Sequence, residues 1–207
     1  MAFDEYDDFE QEKLVKEWIK NNWMTIALGI VIGLGGVFGI NYWKAKEQEK
    51  RFEMAKQYQS FSDIVELSEF TDAQTKLSEM ESQYGTNFYL IEGHLRLAKE
   101  FIAKNELEKA TVELNKVISL KPDQLITEFA KLRLARVYNA MAKHDEALTQ
   151  VKGITIESFS SIAKEVEGDA YIAKGEAKKA KASYQAAIDA GEGYSGKRNI
   201  EMKLENS

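Results

Sequence analysis

Two histidines, no cysteine and a few neighbouring carboxylates are all that this chain offers to catalysis or metal binding. A metal site needs three or four ligands brought to one point, and its sequence signature is their spacing. His94 falls on a predicted helix and His144 in a turn 50 residues later. Neither has a cysteine partner, so both read as surface or groove side chains. The carboxylate pairs Asp7-Asp8 and Glu79/Glu81 sit in tail or exposed helical sequence and read as solvated charges. No glycine-rich phosphate loop and no Gly-x-Ser-x-Gly elbow occurs. The expectation is therefore no enzyme, no metal, no cofactor and no small-molecule substrate. A net charge of −6 without a basic stripe speaks against nucleic acid. The absence of cysteine excludes disulfides and thiolate chemistry and leaves the compartment open.

The strongest chemical signal is apolar. Between Lys20 and Lys44 no residue is charged, and from Trp23 to Trp43 only Thr25 and Asn41 carry polar side chains other than the ring groups. As a helix these 21 residues reach about 31 Å, the thickness of a bilayer's hydrocarbon core. Trp23 opens the run and Tyr42 and Trp43 close it, where interfacial aromatics belong. The segment is too long for a signal-peptide core and ends in Asn-Tyr-Trp-Lys rather than in small residues, so an uncleaved anchor is expected. Gly29 and Gly33 are four apart, as are Gly35 and Gly39. Missing Cβ atoms at that spacing let a second helix approach closely in lipid. These four glycines are the expected helix contact, against the reading that glycine is simply common in membrane helices.

Three parts follow: a tail at 1–22, a transmembrane helix at 23–43 and a soluble domain at 44–207. The tail starts acidic (Asp4, Glu5, Asp7, Asp8, Glu10, Glu12), then places Leu14, Val15, Trp18 and Ile19 on one helical face. Either a short interfacial helix or a frayed tail fits. Lys13, Lys16 and Lys20 precede the span; Lys44, Lys46, Lys50, Arg51 and Lys56 follow it. By lysine and arginine count the C-terminal side would stay in the cytoplasm.

One proline in 207 residues and abundant Ala, Glu, Lys and Leu predict an all-helical domain. The helix leaving the membrane continues to about 69, and a second spans 72–83 with Asp72 as N-cap and Gly85 as left-handed C-cap. Phe101 to Ala110, Tyr138 to Ala147 and Tyr171 to Ala180 then align without a gap, each with an aromatic nine before an alanine. The alanines lie 37 and 33 residues apart. That is the tetratricopeptide period, an aromatic late in helix A and a small residue where helix B crosses it. Repeats are expected near 91–122, 128–157 and 161–190. Asn105 and Glu108 suit a capping box. Ala142 stands where the other copies have Asn105 and Gly175, so that turn is expected to differ. The fold class is all-α: one N-terminal transmembrane helix, then an α-solenoid of tetratricopeptide-like hairpins.

The tail ending in Gln11 to Trp18, the Gly-rich span closing with Asn41-Tyr-Trp43, and Leu97-Ala98, Phe101-Ile102, Lys104 to Ala110 and Leu132 to Val137 resemble the YfgM family of ancillary subunits of the bacterial SecYEG translocon. The resemblance covers nearly the whole chain, with Asn105 to Ala110 its most specific stretch. It implies an inner-membrane protein with a cytoplasmic N-terminus and a periplasmic domain. It also implies association with the translocon and a PpiD-type membrane-anchored chaperone; an accessory subunit that binds such partners or emerging secreted chains is then the first function expected. That orientation opposes the charge count; a large domain behind an anchor can translocate largely regardless of charge. A scaffold that organises envelope enzymes is the alternative function.

Helix A of a tetratricopeptide repeat turns its second, fifth, ninth and twelfth positions to the concave face. The resemblance places Glu92, Leu95, Lys99 and Ile102 there from the first repeat. The second gives Phe129, Leu132, Arg136 and Asn139, and the third Ile162, Glu165, Asp169 and Ile172. Six of the twelve are apolar and should cover something: the chain's own helix near 52–83, or an apolar partner segment. The asparagine- and lysine-rich lining of carboxylate-clamping repeats is absent.

Overall fold

The computed structural model describes residues 8–191 and 196–207, and every regular element among them is helical. Among the described residues nine α-helices follow in order: α1 (Asp8–Glu66), α2 (Phe70–Tyr84), α3 (Phe88–Ala103), α4 (Leu107–Ser119), α5 (Gln124–Ala140), α6 (His144–Lys152), α7 (Ser160–Ala173), α8 (Ala177–Ala190) and α9 (Lys197–Glu205). A 3₁₀ turn at Glu157–Phe159 leads into α7. The chain divides into two compact units, Met1–Glu53 and Met54–Ser207.

The first unit is the N-terminal part of α1. The helix already runs at residue 8, so the tail from there on is helical rather than frayed. Lys16 pairs with Glu12 one turn back, and the Asn22 amide donates to the Trp18 carbonyl at 2.8 Å. Asp4, Glu5 and Asp7 lie outside the described residues. Trp23, Leu28, Val31, Phe38, Tyr42 and Trp43 are all exposed. A helix that is apolar on every side and long enough to cross a membrane stays unburied in the single chain. A Cβ placed on Gly29, Gly33, Gly35 or Gly39 would meet nothing within 4 Å.

The second unit stacks helical hairpins. Each helix is amphipathic, and its apolar stripe enters the core. In α3 that stripe is Leu90, Ile91, Leu97, Ala98 and Phe101; in α4 it is Ala110, Leu114 and Val117. The crossing alanines Ala110, Ala147 and Ala180 are fully buried. Gly168 is needed for the α7–α8 approach, because a Cβ there would run into the Tyr184 ring. Asn87 caps α3 by accepting from the Leu90 N–H at 3.2 Å, and Asp123, directly after Pro122, caps α5 through the Ile126 N–H at 2.9 Å.

A fourth hairpin precedes the three expected. The end of α1 and α2 form it, with Phe61, Val65, Ala73, Leu77 and Met80 in the same core cluster as α3 and α4. Ala73 is buried at the crossing, 37 residues before Ala110.

All four hairpins turn alike. Ser68, Asn105, Ala142 and Gly175 each adopt positive φ, between 58° and 74°. In each, the next residue's N–H reaches back five residues: Glu69 to Ile64, Glu106 to Phe101, Lys143 to Tyr138 and Glu176 to Tyr171. This is the Schellman closure of a helix C-terminus. It corrects three expectations. Asn105 closes α3 and does not cap α4, whose N-cap is Glu106 without a side-chain bond. The turn at Ala142 does not differ. Asp72 sits in the first turn of α2, which starts at Phe70 behind Glu69. Gly85 has the expected positive φ, 65°, but an extended ψ of −166°, a region open to glycine and not the left-handed helical one.

Candidate partner-binding groove

The groove lies between α3 and α5. Lys99, Ile102, Leu107, Arg133, Arg136, Val137 and Ala140 line an open cavity of about 300 Å³. A second cavity of about 520 Å³ shares Lys99 and Arg133 and adds Tyr58, Glu92, Leu95, Arg96, Glu100 and Phe129. The helical period sets this lining: Lys99 and Ile102 are three apart on α3, and Phe129, Arg133, Arg136 and Ala140 step along one side of α5. The lining of the first cavity combines apolar side chains with three bases.

The bases differ in how they are held. The Arg133 guanidinium lies over the Phe129 ring, 4.4 Å from its centre. Burial lowers its pKa; Glu92 acts against that and Arg136 with it. Arg136 reaches Glu165 only at 3.7 Å. Lys99 is exposed and has no ion pair among the described residues.

Three sequence-assigned positions fit the groove differently than expected. Leu132 is 4% exposed and packs with Ala135, Ala147, Val151, Ala163 and Val166, so it is core. A middle helix with neighbours on both sides has less free face than a terminal one. Leu95 and Ile162 are half-buried against the first and second core clusters. Ile102 and Ile172 remain open, at 38% and 40% exposure. Tyr58, from the end of α1, lines the α3 side, so the chain's own helix covers part of the apolar surface and leaves the Ile102 cavity open.

The third hairpin's polar positions are occupied from within. Lys203 of α9 donates to Glu165 at 2.8 Å and to Asp169 at 2.9 Å, and Asn199 approaches Glu165. Burial lowers the Lys203 pKa, and the two carboxylates outweigh it and raise it. Tyr184 donates to Asp169 at 2.9 Å; its burial, then that bond, pushes its pKa up. Ile200 is fully buried beside Ala180, Tyr184 and Ala187. The charged spacing of α9 concealed this capping role in the sequence.

His94 is 7% exposed, not a groove side chain; its Nδ1 lies 2.6 Å from Glu113, which also accepts from Gln74 at 2.5 Å. His144 starts α6 and contacts Asn139 at 3.2 Å. Among the described residues no group of three or more acidic or histidine side chains could hold a metal.

Three curated relatives align along almost their whole length. A protein of Haemophilus influenzae is 29% identical over 209 residues, covering 100% of both chains. One from Escherichia coli K12 is 26% identical over 95% of each. One from Aggregatibacter actinomycetemcomitans is 27% identical over 95% of this chain and 97% of its own. Each of the three is named "Ancillary SecYEG translocon subunit". Among solved structures, the P58(IPK) TPR domain overlaps 74% of this chain and 45% of its own, with a TM-score of 0.48 and 17% identity, too distant to bear on the groove. The family described as a tetratricopeptide repeat-like domain matches residues 16–207, and with its stacked hairpins and buried crossing alanines the chain belongs to that family.

Proposed function

We propose that this chain is an ancillary subunit of a Sec translocon, held in the bacterial inner membrane by α1 and binding protein partners through the α3–α5 groove. The observation that carries the reading is the end-to-end alignment with proteins that bear that name. An apolar helix matching a bilayer's thickness supports the anchor. A groove with open apolar area at Ile102 supports a binding role rather than a catalytic one. In this reading the N-terminus is cytoplasmic and the repeats periplasmic. The partners are the translocon, a PpiD-type chaperone and emerging secreted chains, and the glycines of the span contact a neighbouring helix.

A photo-crosslinking residue at position 102, activated in native membranes, tests it. Adducts to translocon subunits, the chaperone or unfolded secretory chains are expected. Adducts only to folded envelope enzymes would establish the scaffold instead. In the same membranes Gly33→Leu should reduce recovery of the complex with the repeats still folded; unchanged recovery would place all contacts outside the bilayer.

A further inference from the structure

The Ile102 cavity combines two features that a purely apolar docking site would not need. Its apolar lining is Ile102, Leu107, Val137 and Ala140, enough for one large apolar side chain. Its charged lining is Lys99, Arg133 and Arg136, and no carboxylate lines it. This occurs in a chain with 34 acidic and 28 basic residues. The adjoining cavity towards Tyr58 carries Glu92 and Glu100. Charge is therefore graded along the groove, positive at the Ile102 end and mixed beyond it.

The three bases are also short of partners. Lys99 has no ion pair among the described residues. The acid nearest Arg136 is Glu165, and Lys203 already holds that carboxylate at 2.8 Å while Arg136 stands at 3.7 Å. Arg133 stacks on Phe129 and is half-buried; Glu92 acts on it through space, but no carboxylate among the described residues comes within ion-pair distance. A preoriented guanidinium that lacks a close carboxylate suits an incoming one.

We propose that this end of the groove selects an internal acidic–apolar segment of a partner protein. One aliphatic or aromatic side chain enters the pocket, and an Asp or Glu within one helical turn of it meets Lys99, Arg133 and Arg136. The proposal rests on the groove being the partner site. An anionic lipid headgroup would be drawn to the same bases, but it leaves the apolar lining unfilled and faces Glu92 and Glu100 next door. Nucleic acid needs a longer basic track. Electrostatic complementarity of this kind sets partner choice and register more than affinity.

The test uses the full chain in lipid nanodiscs. The probes are acetylated, amidated dodecapeptides with one Leu or Phe in a Gly/Ala/Ser background, followed one to four residues later by Asp, Asn or Lys. Asp peptides are expected to bind at least about ten-fold more tightly than Asn peptides, with Lys peptides weakest, and the gap to shrink in high salt. Lys99→Glu with Arg136→Glu should reverse the order without changing the thermal midpoint. The milder Lys99→Gln with Arg136→Gln should bring Asp and Asn level, which keeps the test valid if reversal disturbs folding. Equal binding of Asp and Asn peptides to the unaltered chain overturns the inference and leaves an apolar groove standing. No peptide binding at all overturns the groove reading with it. Displacement of the Asp peptides by equimolar glycerophosphoglycerol assigns the bases to lipid and also overturns it.

Discussion

Glu128 shows how much one buried side chain can do for the stacking of hairpins. It is 4% exposed and faces the loop that follows α6. Its two oxygens accept from the Thr155 and Ile156 N–H groups at 2.9 and 2.8 Å, the Thr155 hydroxyl at 2.7 Å and the Gln124 amide at 3.0 Å. Burial pushes its pKa up, but the four donors outweigh burial and bring it from 4.5 down to about 2. A carboxylate whose folded pKa is depressed stabilises the fold above its unfolded value. That contribution is complete above about pH 4.5 and is lost as pH falls through about 2. Glu128→Gln should therefore lower stability at pH 7 by about 1–3 kcal/mol, the usual cost of weakening a charged acceptor among buried donors. Thermal melts from pH 7 to pH 2.5 check it: the gap between the two proteins should narrow below pH 4.5. A gap of constant size would mean that packing, not charge, explains the loss. Nothing in the sequence marked Glu128, because three of its four donors lie 27 and 28 residues away in a loop that has no periodicity.

At the scale of elements, the repeat was legible wherever its signal is local. The alanines at 110, 147 and 180 reveal themselves by spacing because each hairpin crossing needs a small side chain. The first hairpin was missed although Ala73 keeps the same period, since Ile64 replaces the aromatic and the helix is continuous with the apolar span. Of the bases beside Ile102, the repeat register placed Lys99 and Arg136 on the concave face, whereas Arg133 lies one turn beyond Phe129, outside the four register positions, and had no sequence signature. The turns yield a sharper test. The same closure uses Gly175, Asn105, Ser68 and Ala142, and left-handed backbone is easy for glycine, tolerable for asparagine and costly for alanine. Ala142→Gly should stabilise the domain by about 1 kcal/mol, raising the melting temperature by roughly 2–4 °C. Gly175→Ala should do the reverse. Calorimetry of the two variants measures both, and a fall for Ala142→Gly would mean that the flexibility gained in the unfolded chain outweighs the relieved strain.

At the scale of the whole molecule, the anchor and the repeats make different demands on orientation. Positive residues flanking the span number three before it and five after it within 15 residues, which favours retaining the C-terminal side in the cytoplasm. The proposed role needs the repeats on the other side, where secreted chains emerge. The bias is small, and acidic neighbours add little to the rule, so the assignment to a Sec subunit carries more weight than a difference of two charges. The absence of cysteine makes the question directly measurable, since any single cysteine introduced is the only thiol in the chain. Lys13→Cys lies before the span, and Ser82→Cys lies on α2; both positions are exposed in the chain. In intact spheroplasts a membrane-impermeant maleimide should label Ser82→Cys and leave Lys13→Cys untouched until the membrane is broken. The opposite pattern would put the repeats in the cytoplasm. It would also end the proposed contact with emerging secreted chains, because the groove would then face the side from which those chains depart.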